Sequence, residues 1–161
     1  MSDFVWRIAT DAPTYAADDL TGEGAKQTGG RWNKKGIPVL YTSRTRALAC
    51  LETVVHLSGG GLPLNRYLVE IEIQDDVWTS AQVETVATLP VGWDAEPASG
   101  TSINFGSNWL ASGTSALLIV PSVIVHEEFN VLINPAHPDI TKISAKKVRR
   151  WLYDPRLQKG P

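Results

Sequence analysis

The apolar residues recur with two different periods, and each change of period marks a new element. Residues 4–9 alternate as a strand does, with Phe4, Trp6 and Ile8 on one face and Arg7 on the other. A short apolar run over 37–42, bounded by Gly36 and Ser43, predicts a second strand. From 44 to 57 the period becomes helical: Ala47, Leu48, Leu51, Val54 and Val55 form one stripe, and Ser43 is the expected N-cap. After Gly59-Gly60-Gly61, residues 67–73 return to alternation, with Glu70 and Glu72 on a solvated face. Residues 102–112 predict a helix carrying Phe105, Trp109 and Leu110, closed by Gly113. The continuous apolar run 116–120 predicts a central strand that stops at Pro121-Ser122. A further strand follows over 130–133, and 140–153 read as a last strand pair or a strand and turn. Residues 11–30, rich in Gly, Asp, Thr and Ala, keep no period and read as a loop with one helical turn near 14–19. A loop of that length is usually functional or mobile. Residues 77–85 carry no clear pattern, and 89–100 read as a connector. There is no internal repeat, low-complexity tract or linker, so one mixed α/β domain over residues 1–161 is the economical reading.

Composition narrows the class. A chain of 161 residues with 43% hydrophobic and 20% charged residues can bury a continuous core. Its net charge of −2 argues against direct nucleic-acid binding by neutralisation of many phosphates, but leaves room for a local basic pocket. The single Cys50 cannot form an internal disulfide and is expected as a buried free thiol. No basic stretch followed by an apolar run opens the chain, and no segment reaches the length of a membrane span. The expectation is a cytoplasmic protein with no membrane partner. Most of the six tryptophans are expected in the core or as site walls.

Candidate chemistry gathers in Gly29-Gly30-Arg31-Trp32-Asn33, in Tyr41-Thr42-Ser43 and at Glu52. Two glycines allow close backbone approach, so Arg31 can pair bidentately with a phosphate, or simply form a surface ion pair. Trp32 can pack against a base or fix the loop. Tyr41 ends a strand, where its ring either stacks on a flat heterocycle or is half-buried structure. Glu52 lies roughly 100° from the centre of the helical stripe, where a carboxylate either lines a cleft or is solvated. His56 shares that flank one turn later. Ser122, just past an apolar strand, is placed either to meet a ligand or to serve turn chemistry. Arg7 is a second candidate phosphate ligand, or else an edge-strand charge. His56, His126 and His137 lack metal-ligand spacing, and no metal site is expected. Phosphate-loop, dinucleotide-fold and nucleophile-elbow patterns are all absent from the sequence.

Taken in order, Phe4-Val5-Trp6-Arg7, Gly29-Gly30-Arg31-Trp32-Asn33, Val39-Leu40-Tyr41-Thr42-Ser43, Glu52, Leu118-Ile119-Val120-Pro121-Ser122 and Asn130-Val131-Leu132-Ile133-Asn134-Pro135 resemble the RES domain. That family is named for an arginine, a glutamate and a serine, and forms the toxin half of bacterial RES–Xre toxin–antitoxin pairs. The resemblance implies an α+β fold related to ADP-ribosyltransferase toxins, a single domain with a split, twisted sheet around a cleft. By position Arg31, Glu52 and Ser122 match the family's three residues, and Arg7 and Tyr41 match further cleft residues that would bind substrate. It also implies a growth-arresting toxin that depletes NAD⁺. NAD⁺ is then the substrate, and no cofactor is expected. Cleavage of the nicotinamide–ribose bond would use water or inorganic phosphate as acceptor.

The alternatives are ADP-ribosyl transfer to a protein and a non-catalytic nucleotide-binding module. Glu70-Ile71-Glu72 has the glutamate spacing of many arginine-specific transferases, but reads as the wet face of a strand. The implied partner is an Xre-like helix-turn-helix antitoxin that blocks the cleft and makes any DNA contact itself. Val91-Gly92-Trp93 is a candidate interface segment.

Overall fold

The alternation in residues 4–9 belongs to a longer strand, β1 (Ser2–Thr10), in a computed structural model that describes residues 1–57 and 60–158. Gly59 of the predicted glycine turn, and residues 159–161 of the predicted domain, lie outside the described residues. Strands β2 (Leu40–Ser43), β3 (Arg66–Gln74), β4 (Gln82–Val83), β5 (Leu117–Pro121), β6 (Phe129–Ile133) and β7 (Ile143–Trp151) complete one sheet, in the order β4-β5-β6-β2-β1-β3-β7. All neighbours are antiparallel except the β4–β5 pair. Helices α1 (Glu23–Thr28), α2 (Arg46–Val54), α3 (Asp75–Thr79) and α4 (Gly100–Ser112) join them, giving the α+β class.

The sheet parts in its middle. β1 and β3 pair along all nine residues of both strands, from Ser2↔Gln74 to Thr10↔Arg66. β1 and β2 meet only at Trp6↔Ser43. One face of the sheet has a continuous core that includes Val5, Leu40, Val69, Ile71, Leu117, Val131 and Ile133. On the other face, the core is divided. Trp32, Trp93, Trp109, Leu118, Val120 and Leu132 pack over β5, β6 and β2, while Trp6, Ile8, Ala49, Leu68 and Tyr153 pack over β1 and β3. Period-two alternation produces this arrangement, sending Leu118 and Val120 to one face and Leu117 to the other. Each fully buried aliphatic side chain contributes about 1.5–3 kcal/mol, so both halves are separately cored and the gap between them persists.

Several local expectations are corrected. The 14–19 region holds only non-helical turns, and the helix of the 11–30 loop is α1 at Glu23–Thr28. Ser43 does not cap α2, because it ends β2 and pairs with Trp6. Thr45 is the cap, and its hydroxyl accepts from the Leu48 amide at 3.1 Å. The buried residues of α2 are Leu48 and Ala49, while Val55 is exposed. Over residues 140–153 there is no strand pair, and the turn comes before the strand. A 3-10 turn over Pro138–Lys142 leads into the single strand β7. Trp93 is buried, leaving Val91 as the exposed residue of its segment. Cys50 is half-buried, and desolvation pushes its thiol pKa up. No helix among the described residues is long and apolar enough to cross a membrane.

Candidate active site

The parting of the sheet opens a cleft of about 710 Å³. Its lining includes Arg7, Arg31, Tyr41, Glu52 and His56, brought together from β1, the 29–33 loop, β2, α2 and the turn that follows α2. Helix α2 lies against β1 and β2 and so spans the parting. Residues four apart stack on one helical face. Leu48 and Ala49 bury that face over the sheet, and one turn later it carries Glu52 and Thr53 out over the cleft.

Glu52 is held by one oxygen. Its Oε1 accepts from Ser122 Oγ at 2.7 Å and from Asn130 Nδ2 at 2.7 Å. Its Oε2 has no hydrogen-bond partner among the described residues and is not sealed from solvent. Ser122 itself is fully buried and does not line the cleft. Its Oγ accepts from the amides of Ile124 (3.1 Å) and Val125 (3.3 Å), which directs its own proton to Glu52. A direct ligand contact from Ser122 is therefore replaced by a contact made through Glu52.

The 29–33 loop is tied on every side. Tyr41 donates its hydroxyl to Asn33 Oδ1 at 2.6 Å and accepts from the Trp32 amide at 2.9 Å. Burial pushes the phenol pKa well above its ordinary value, which keeps Tyr41 a donor. Asn33 is buried and donates Nδ2 to the carbonyls of Ala25 and Ile37, both at 2.9 Å. A Cβ on Gly30 would stand 2.7 Å from the Tyr41 hydroxyl, so the position tolerates no side chain without displacing that ring. Trp32 is buried, stacked on Trp93 with centroids 6.3 Å apart, and edge-on to Phe105. This packing fixes the loop, and Trp32 also lines the cleft. Beneath it, α4 brings Gly106 against the Trp32 carbonyl, and Ser107 Oγ accepts the Lys34 amide at 3.1 Å. Replacing Tyr41 with Phe strands Asn33 Oδ1 and the Trp32 amide. Urea unfolding is expected to show a loss of about 1–3 kcal/mol.

The two arginines differ in their commitments. Arg31 is mostly covered, with its side chain 16% exposed, and its guanidinium is engaged. Nη1 donates to the carbonyls of Trp93 (3.1 Å) and Ala95 (2.7 Å), and Nη2 pairs with Glu96 at 2.8 Å. It ties the 93–96 segment to the rim of the cleft. Arg7 is half-buried and has no hydrogen-bond or ion-pair partner among the described residues. Burial lowers its pKa, and the fields of Asp19 and Tyr15 counter that. Arg7 is thus a cation lining the cleft, with donors that no described residue engages. Sequence reasoning missed Asn130 and Glu96. The pairing of Ser43 with Asn130 across β2 and β6 was invisible without the register, and Glu96 lies in a connector with no pattern.

Comparisons with known proteins place the chain in a family. Residues 4–155 match the RES domain family. The "Prs ADP-ribosylating toxin" of Sphingobium sp. (strain YBL2) is 67% identical over 157 residues, covering 98% of each chain. A "Toxin Res" of Yersinia enterocolitica serotype O:8 is 37% identical over 145 residues, covering 89% of this chain and 93% of the relative. In fold, the chain is similar to a chain of the M. tuberculosis MbcT-MbcA toxin-antitoxin complex. The TM-score is 0.61 at 15% identity, over 92% of this chain and 85% of the other. The family match spans the cleft residues from Arg7 to Asn130, and the chain belongs to the RES domain family.

Proposed function

We propose that this protein is the toxin of a toxin–antitoxin pair, and that its cleft breaks the nicotinamide–ribose bond of NAD⁺ and passes ADP-ribose to a protein acceptor. One observation carries the reading: in the cleft, a carboxylate oxygen of Glu52 and the guanidinium of Arg7 both lack a hydrogen-bond partner among the described residues. When the ribose C1–N bond breaks, the electron pair leaves with nicotinamide, which departs neutral, and positive charge develops on the ribose. A fixed carboxylate oxygen beside that carbon stabilises the charge, as in other glycosidic cleavages. Oε2 of Glu52 supplies it and accepts a ribose hydroxyl. Arg7 faces the pyrophosphate, the ring of Tyr41 walls the nicotinamide end, and Arg31 holds the rim. The acceptor nucleophile then bonds to the ribose carbon and releases its proton.

A protein acceptor is supported by the Sphingobium relative, which is named for ADP-ribosylation at 67% identity. This brings forward the transfer reading that sequence ranked behind water or phosphate. The cleft's partner is proposed to be an Xre-like antitoxin that covers it, supported by the fold's likeness to a chain from a toxin-antitoxin complex.

The test is to incubate the purified protein with adenylate-labelled NAD⁺ and cell lysate, with and without inorganic phosphate. Label on a protein, with nicotinamide released in proportion, is the expected result. Label confined to ADP-ribose or its phosphate ester would make water or phosphate the acceptor, and unchanged NAD⁺ in every arm would overturn the reading. Arg7→Met gives a second check. A half-buried charge with no hydrogen-bonded partner among the described residues, only partly offset by the field of Asp19, gains most once an anion is bound. Its KM for NAD⁺ is expected to rise about tenfold or more, the value of a charge-assisted hydrogen bond. The thermal midpoint is expected not to fall.

A further inference from the structure

We infer that Asn130 is the positioning residue that aims Glu52, acting as a relay from Ser43 at the point where the two halves of the sheet meet. The inference rests on the proposed NAD⁺ cleavage and adds to it how the carboxylate is held.

Asn130 sits on β6 opposite Ser43 of β2 and opposite Val120 of β5. Ser43 is also the residue that pairs with Trp6, the single register pair joining β2 to β1. The side-chain amide of Asn130 is satisfied in one sense only. Its Oδ1 receives the Ser43 hydroxyl proton at 2.7 Å, and its Nδ2 donates to Glu52 Oε1 at 2.7 Å. Flipped, the amide would set its own oxygen against a carboxylate oxygen, two acceptors with no proton between them. Glu52 therefore dictates the amide's orientation, and Ser43 is left to donate.

Ser122 is constrained in the same way from the other side. Two backbone amides fill the acceptor sites of its hydroxyl, so its proton goes to Oε1 as well. Two donors of fixed direction on the same oxygen define where the carboxylate lies and leave Oε2 turned to the cleft. The donors come from β6 and from the segment after β5, whereas Glu52 comes from α2. The bonds thus fix the helix's carboxylate to the sheet side of the cleft. Misplacing a reacting group by about 1 Å costs on the order of a hundredfold in rate. Asn130 also lines the cleft, but its amide is committed to Ser43 and Glu52, so its removal is expected to change the chemical step and not the binding of remote parts of the substrate.

The experiment has a kinetic arm and a structural arm. In Asn130→Ala, kcat for nicotinamide release is expected to fall about 10–100-fold while KM for NAD⁺ stays within about threefold. Asn130→Asp is nearly isosteric and keeps an oxygen for Ser43, but it sets an anion where Glu52 requires a donor. At least the same loss in kcat is expected from it, with a urea midpoint below that of the wild type at neutral pH, because the two carboxylates in contact repel. Crystal structures of both variants are expected to show the Glu52 carboxylate displaced or in more than one position. An unchanged kcat, or a rise in KM alone, would overturn the inference. So would a Glu52 that keeps its single wild-type position in Asn130→Ala. If the wild type releases no nicotinamide, the functional reading fails, and the structural arm still decides whether Asn130 aims Glu52.

Discussion

Glu52→Gln is expected to reduce turnover of NAD⁺ by about 10²–10³-fold while leaving the fold intact. The geometry makes this substitution unusually clean. Both hydrogen bonds to Glu52, from Ser122 and Asn130, arrive at Oε1. A glutamine can keep its carbonyl oxygen there and accept both. Only the free Oε2 is replaced, by an uncharged amide that cannot stabilise a developing cation. The expected signature is therefore a fall in kcat with an unchanged urea midpoint and little change in KM. In cells, the variant should no longer arrest growth when overexpressed, while accumulating to the wild-type level. A Gln variant that kept full turnover would remove the carboxylate from the mechanism. Glu52→Ala is a poorer test, because it leaves the donors of Ser122 and Asn130 unpaired and mixes stability with catalysis.

The largest expected effect on stability lies outside the cleft lining. At Gly106 on α4, an added Cβ would stand 1.9 Å from the Trp32 carbonyl oxygen and 2.7 Å from the carbonyl carbon and Cβ of that residue. The nearest obstruction is backbone, so no rotamer change relieves it. In an exposed helix, Gly→Ala gains about 1 kcal/mol. Here the overlap dominates, and Gly106→Ala is expected to destabilise by about 3 kcal/mol net, the upper end for overpacking. Gly100→Ala, at the start of the same helix, is the control. Its Cβ would meet only Asn104 Nδ2 at 3.7 Å, so its urea midpoint should match or exceed the wild type. Because Trp32 carries the loop that places Arg31, the Gly106 variant should also lose activity at temperatures where it is still folded. Equal midpoints for the two variants would mean that α4 does not press on this loop.

Much of the fold was legible from local pattern. Partial alternation marked β1 and β3, and a continuous apolar run marked β5, because a strand covered on both faces has no polar phase. Gly113 closes α4 in the left-handed conformation that favours glycine. The errors fell where two elements compete for the same residue. Ser43 has the chemistry of a helix cap, yet β2 claims it for the sheet and for Asn130, and the cap passes to Thr45. Helix α1 was missed because six residues with none buried leave no apolar stripe to read.

The candidate site divides in the same way. Arg7, Arg31, Tyr41 and Glu52 were identifiable as types of residue in an order, and all four line one cleft. Their separate commitments were not identifiable, since those depend on contacts between residues far apart in the chain. Arg31 is occupied by Glu96, 65 residues away, and Ser122 by Glu52 across 70. Hydrophobic periodicity and glycine placement act over a few residues, so the chain's own order dictates the elements and their buried faces. Which arginine lacks a partner among the described residues, which oxygen of Glu52 is left open, and that Asn130 holds the other are decided when β1 and β2 meet at one pair and the sheet opens. Those choices arise from hydrogen bonds satisfied across the fold, and no local pattern encodes them.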